Sequence, residues 1–99
     1  MQSIPLEAKP SQTLKVTLDS QYVQLNIYTL PDGLFLDLLL NGTTVIQGAL
    51  CVDRARLVRE AYLGFSGDLM FIDTQGKLDP YYTDLGGRWQ LIYLNANEL

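Results

Sequence analysis

The stretch Tyr22–Gly42, YVQLNIYTLPDGLFLDLLLNG, constrains the fold more than any other part of the chain. Val23, Leu25 and Ile27 alternate with Tyr22, Gln24, Asn26 and Tyr28. Successive side chains of a strand point to opposite faces, so strict alternation marks a half-buried strand. After Pro31-Asp32-Gly33 a second run places Leu34, Leu36, Leu38 and Leu40 on one face and Phe35, Asp37 and Leu39 on the other. Pro presets φ and Gly accepts positive φ, which suits a tight connection. The stretch predicts an antiparallel hairpin, with the remaining strands covering it.

The same reading extends in both directions. Ile4 and Leu6 share one face of a short run, Ser3–Ala8, whose Pro5 lacks a ladder donor and places it at an edge or terminus. Leu14, Val16 and Leu18 alternate with Lys15, Thr17 and Asp19, and Asp19-Ser20 turns this strand into the next. Asn41-Gly42 is the strongest short hairpin signal in the chain, and Thr43–Cys51 is the partner strand. Gly48 inside that strand predicts a bulge or a close backbone approach. Three hairpins in series make a meander of the first half.

The second half is less regular. Val52–Tyr62 carries Val52, Ala55, Val58 and Ala61 at helical spacing, yet also suits an extended crossover; loop and extended chain is the preferred reading, a short helix the alternative. Leu63–Gly67 reads as a loop. Asp68–Asp73 is a strand with Leu69 and Phe71 opposed to Met70 and Ile72, and Gln75-Gly76 turns it. Leu78–Leu85 contains Asp79-Pro80 and reads as a turn or one helical turn. Arg88–Leu94 is the last strand, with Trp89, Leu91 and Tyr93 on one face. Residues 95–99 read as a frayed tail. Turn signals about every ten residues predict one all-β domain over residues 1–99, a small antiparallel barrel or sandwich of seven to eight strands.

Composition narrows the function. The chain has 99 residues, 47% hydrophobic content, a net charge of −4 and no histidine. Negative charge argues against electrostatic binding to nucleic acid or anionic membranes. Without histidine, Ser–His and Cys–His nucleophiles are excluded. Cys51, the single cysteine, has no intrachain disulfide partner and reads as a buried structural thiol. The N-terminal MQSIPLEAKP shows no signal peptide, and no apolar run approaches the ~20 residues of a membrane-spanning helix.

Asp68, Asp73, Asp79 and Asp84 lack the calcium-loop spacing and read as turn-formers or solvated charges rather than catalytic or metal-binding groups. Asn41-Gly42-Thr43 matches a glycosylation sequon, but a hairpin turn explains it. Gly86-Gly87-Arg88 is too short for a phosphate loop and suits a flexible or bulged strand entry. Neither a cofactor nor a metal site is expected, and no enzymatic activity. Tyr22, Tyr28, Tyr62, Tyr81, Tyr82, Tyr93 and Trp89 pose a real alternative, a sugar-stacking platform of a carbohydrate-binding or other small β binding module. Core packing or a protein interface explains the same aromatics.

The order of motifs carries a family resemblance. Ile4-Pro5-Leu6 is followed by an alternating hairpin and the apolar strand Leu34–Leu40 with Asn41-Gly42. Then come Gly48-Ala49-Leu50-Cys51, Gly67-Asp68-Leu69, Asp79-Pro80-Tyr81-Tyr82-Thr83-Asp84-Leu85-Gly86, and Tyr93-Leu94. Over residues 4–94 the chain resembles the small baseplate plug proteins of contractile-tailed bacteriophages, the family named for a cyanophage plug. It departs from that pattern at Asp53–Arg59, where Asp-Arg-Ala-Arg stands in place of Gly and Pro. The resemblance implies a non-enzymatic structural role at the centre of a tail baseplate, in contact with the hub. It also implies a place in the virion after assembly in the host cytoplasm, tail proteins as partners, and no nucleic-acid readout or membrane.

One face of the Leu-rich strand suffices for a core, so Phe35 and Leu39 are surplus unless a second sheet or another subunit covers them. Arg54, Arg56 and Arg59 suit contact with an acidic neighbour. With Tyr81 and Tyr82 these are the interface candidates, and exposed sheet edges predict a homo-oligomer or coverage by a partner.

Overall fold

The alternation of the first half builds one antiparallel sheet in chain order. In a computed structural model that describes residues 1–59 and 64–98, β2 (Ser11–Leu18), β3 (Gln21–Leu30), β4 (Gly33–Leu40) and β5 (Thr43–Leu50) pair as β2-β3-β4-β5. The preceding β1 (Gln2–Ile4) belongs to a second sheet with β6 (Asp68–Asp73) and β7 (Trp89–Leu94), in the order β1-β7-β6. The two sheets share no strand, so the architecture is a seven-stranded sandwich among the described residues, and the barrel alternative is excluded.

Three tight turns fix the meander. Asp19 and Ser20 both have positive φ (50° and 64°), as do Asn41 and Gly42 (51° and 82°). That backbone matches the twist of the flanking strands. Leu30 pairs with Gly33 across Pro31-Asp32. The expected irregularity at Gly48 is real: the β4–β5 register shifts between Leu36 and Leu38 and again between Leu38 and Leu39. Gly48 takes φ 68°, and its N–H donates to Asp37 Oδ1 at 2.8 Å.

The core lies between the sheets. Leu18, Val23, Leu25, Ile27, Leu34, Leu36 and Leu38 line one side, and Ile4, Leu69, Phe71, Leu91 and Tyr93 belong to the same buried cluster from the other. Leu40, expected on the buried face, packs against this cluster but is only partly buried. Cys51 is buried, as expected, and burial pushes its thiol pKa up.

Where an edge was expected, β1 is an edge: it pairs only with β7. Residues 52–59 form the extended crossover rather than a helix, and run along the free side of β6. The helix alternative for residues 60–62 lies outside the described residues. Tyr82–Asp84 is a single 3-10 turn, in keeping with the reading of Leu78–Leu85. Where fraying was expected, Ala96–Glu98 is also a 3-10 turn, and Glu98 accepts a hydrogen bond from the Met1 amine. That bond holds the Glu98 carboxyl below its ordinary pKa.

Candidate functional site

The interface candidates occupy three places. Phe35 and Leu39 lie on the outer face of the four-stranded sheet, because the second sheet covers only the Leu34, Leu36 and Leu38 side. Each is half-buried by its strand neighbours alone. Tyr28 stacks on Phe35 with ring centroids 6.1 Å apart and planes 18° apart. The Tyr28 hydroxyl donates to Asp37 Oδ1 at 2.9 Å. Burial first, and this carboxylate second, raise the phenol pKa. Leu50 pairs with Phe35 across β4–β5 and is 46% exposed. Leu30, two residue pairs nearer the Pro31-Asp32 turn, is also exposed. An apolar row therefore crosses this end of the outer face, and Asp37 separates Phe35 from Leu39.

The arginines lie on the crossover, and the fold uses them. The crossover backbone donates from Arg54 N to Phe71 O (2.8 Å) and from Leu57 N to Leu69 O (3.0 Å). This covers the edge of β6 that would otherwise be open. Arg54 spans Asp53 (2.6 Å) and the carbonyls of Gly76 and Asp73 (both 3.2 Å). Arg56 Nε reaches Asp68 Oδ2 at 3.2 Å. Arg59 Nε donates to Arg56 O at 2.7 Å. All three arginines stay exposed at the surface. A groove of about 310 Å³, lined by Ala49, Leu50, Val52, Leu57 and Arg59, joins the apolar row to the crossover.

The aspartates differ most from expectation. Asp68 and Asp73 are neither solvated nor simple turn-formers: they are 1% and 0% exposed. A buried carboxylate persists only when its oxygens are saturated with donors. Asp68 accepts from the backbone N–H groups of Val58 (2.8 Å), Arg59 (2.8 Å) and Leu69 (2.7 Å), besides Arg56. Asp73 receives a two-pronged contact from Arg88 Nε and Nη2, both 2.8 Å, and the N–H groups of Gln75 and Leu78, both 2.9 Å. The Arg88 guanidinium, foremost, holds the Asp73 carboxyl well below the usual carboxylate range.

Arg88 also lies 4.8 Å above the Trp89 ring. Asp53 accepts from Asp73 N (2.7 Å), and Asp79 accepts from Asp53 N (3.1 Å), so Asp79 ties two loops together rather than only initiating a turn. These carboxylates are engaged in holding backbone. Among the described residues, no cluster of His, Cys, Asp and Glu is arranged to hold a metal ion.

The sequence singles out Asp68 and Asp73 only as turn-formers or solvated charges, and their burial corrects that reading. The usable signal was a carboxylate at each end of a wholly apolar strand, in a chain whose arginines fall in the flanking segments.

Tyr81 and Tyr82 form the third place. Their rings lie 4.7 Å apart at 42°; Tyr81 is 47% exposed, and Tyr82 packs against the core. The aromatic platform does not assemble among the described residues. Trp89 and Tyr93 are in the core, Tyr28 is stacked on Phe35, and Tyr22 stands at the Asn41-Gly42 end of the outer face. Tyr62 lies outside the described residues.

The surface thus carries an apolar row on the outer sheet face and exposed arginines on the crossover, while the buried carboxylates hold structure. No helix among the described residues is long and apolar enough to cross a membrane. No individual curated protein matches the chain. The family model of the cyanophage baseplate Pam3 plug gp18 matches residues 1–96 of the 99. The chain therefore belongs to the cyanophage baseplate plug family, and its role is that of a structural component of the phage tail baseplate.

Proposed function

We propose that this protein is a non-enzymatic plug at the centre of the tail baseplate, held there by contact with the hub. The family match over residues 1–96 carries the reading. The uncovered outer face of the four-stranded sheet supports it, since large half-exposed apolar and aromatic side chains favour protein contact. Phe35 and Leu39 supply the apolar part of the interface, Tyr81 and Tyr82 an aromatic part with polar tips. Arg54, Arg56 and Arg59 face an acidic neighbour. Arg54 and Arg56 already pair with Asp53 and Asp68, so the partner meets guanidinium groups that are pre-positioned. Lost side-chain freedom on docking is then smaller.

The protein assembles in the host cytoplasm, joins tail proteins as a homo-oligomer, and needs neither a cofactor, a membrane nor nucleic acid. Deleting the gene from its phage and imaging the particles tests the reading. The expected result is tails that lack density at the baseplate centre, restored by the wild-type chain. Unchanged density there would overturn it.

A further inference from the structure

The four strand edges of the sandwich are not equivalent. β6 is covered by the crossover. β1 is three residues long, and β5 is broken by two register shifts. Only β2 offers eight regular residues, paired without interruption to β3 from Ser11↔Tyr28 to Leu18↔Gln21. A long, regular edge is a template for another strand, and the one charge that guards this one is Lys15 near its centre.

Its geometry follows from the turn. A two-residue hairpin with positive φ at both positions closes on a hydrogen-bonded pair, here Leu18–Gln21. Alternation then turns the N–H and C=O groups of Gln12, Leu14, Val16 and Leu18 towards β3. Those of Ser11, Thr13, Lys15 and Thr17 face outward. Side chains follow the same parity. Leu18 is buried, but Leu14 and Val16 on the same inner face are only half-buried. The Pro5–Lys9 crossing runs beside the start of this strand, tied to it where Glu7 N donates to Gln12 Oε1 (3.1 Å) and Gln12 Nε2 to Glu7 O (2.7 Å). A groove of about 300 Å³ lies between the crossing and Ser11–Leu14, and Ser11, Thr13, Lys15 and Thr17 are exposed.

We propose that β2 pairs with β2 of a second copy, antiparallel about a two-fold axis beside Leu14, joining two four-stranded sheets into one. Outward groups must meet outward groups, which leaves two registers with near-complete overlap. Centring on Lys15 sets two like charges directly opposite each other, which is unfavourable. Centring on Leu14 sets Lys15 against Thr13 of the other copy and Ser11 against Thr17. It brings the two Leu14 side chains together and Val16 against Gln12, so the half-buried inner face is completed. Lys15 is the only charged residue of β2, and it selects the register. The pairing gives the self-association in the proposed function a definite geometry. Because it rests on strand geometry, it can fail while the baseplate reading stands.

Leu14→Cys tests the register. In the Leu14-centred pairing the two residues form a non-hydrogen-bonded pair with Cα atoms about 4.5 Å apart, within disulfide reach. Mild oxidation is expected to give a covalent dimer, while Val16→Cys, facing Gln12, gives none. The native Cys51 is buried and serves as an internal control. Thr13→Pro removes an outward N–H that the monomer does not use, and Pro is tolerated on such an edge. It is expected to weaken dimerisation by light scattering at least about tenfold, with the β-sheet circular dichroism retained. A wild-type chain that stays monomeric at millimolar concentration, or equal cross-linking of Leu14→Cys and Val16→Cys, would overturn the proposal.

Discussion

The two halves of the sandwich are held by different physics. Between Ser11 and Leu50, order comes from alternation and local turns: each strand meets its chain neighbour, and apolar side chains fill one face. Between Cys51 and Leu94, segments are tied by buried carboxylates that accept from nearby N–H groups and also from backbone and arginines 9 to 15 positions away. The first half resembles a jigsaw of apolar shapes, tolerant of surface change. The second depends on a few polar atoms that have no substitute.

The largest effect is expected from cutting into the first half. Leu36 is fully buried at the centre of β4, so Leu36→Ala should cost about 2–5 kcal/mol in chemical denaturation. A shift below ~0.5 kcal/mol would mean that Leu36 is not a core residue. Asp68→Ala should cost about 3 kcal/mol, since it strands buried N–H donors. Hydrogen exchange separates the two regions: the Val58, Arg59 and Leu69 amides should lose protection while those of β3 and β4 keep theirs. Uniform loss of protection would mean that the halves do not differ in the way described.

Gly67→Ala should cost about 1–3 kcal/mol. Gly67 has φ 95°, and an added Cβ would collide with Leu94 O and the Tyr93 ring. Wild-type stability here would show that the β6 entry readjusts.

Acid provides the mildest probe. The Asp73 pKa is lowered in the folded state, chiefly by Arg88. The unfolded chain therefore takes up a proton at a pH where the native carboxylate does not. This stabilisation is complete above the ordinary carboxylate range, near pH 4. It declines as pH falls through that range, and is lost once Asp73 itself protonates. Arg88→Gln should flatten this acid limb of the denaturation midpoint. An identical acid limb in Arg88→Gln and wild type would remove the Asp73–Arg88 pair as its cause.

The same contrast explains what could be read in advance. The meander, its turns, the bulge at Gly48 and the pairing faces of β3 and β4 rest on patterns within ten residues, and periodicity exposes them. The role of Asp68 and Asp73 rests in large part on partners 9 to 15 positions away, besides the nearby N–H groups of Leu69, Gln75 and Leu78. Beyond its place at the end of a wholly apolar strand, no local pattern distinguishes such a carboxylate from a turn aspartate. Trp89 and Tyr93 carry the same side chains whether they face a glycan or a core, and only the second sheet's position decides. Phe35 and Leu39 were legible as surplus apolar side chains because β4 needs only one face for the core.

Co-expressing this protein with the hub protein of its own phage, and measuring the mass of the eluted species by light scattering behind size exclusion, tests the baseplate role most directly. A stoichiometric complex is expected, weakened at least about tenfold by Arg59→Glu, which reverses an exposed charge on the crossover. Separate elution of two folded proteins at every concentration tried would contradict a plug held by the hub.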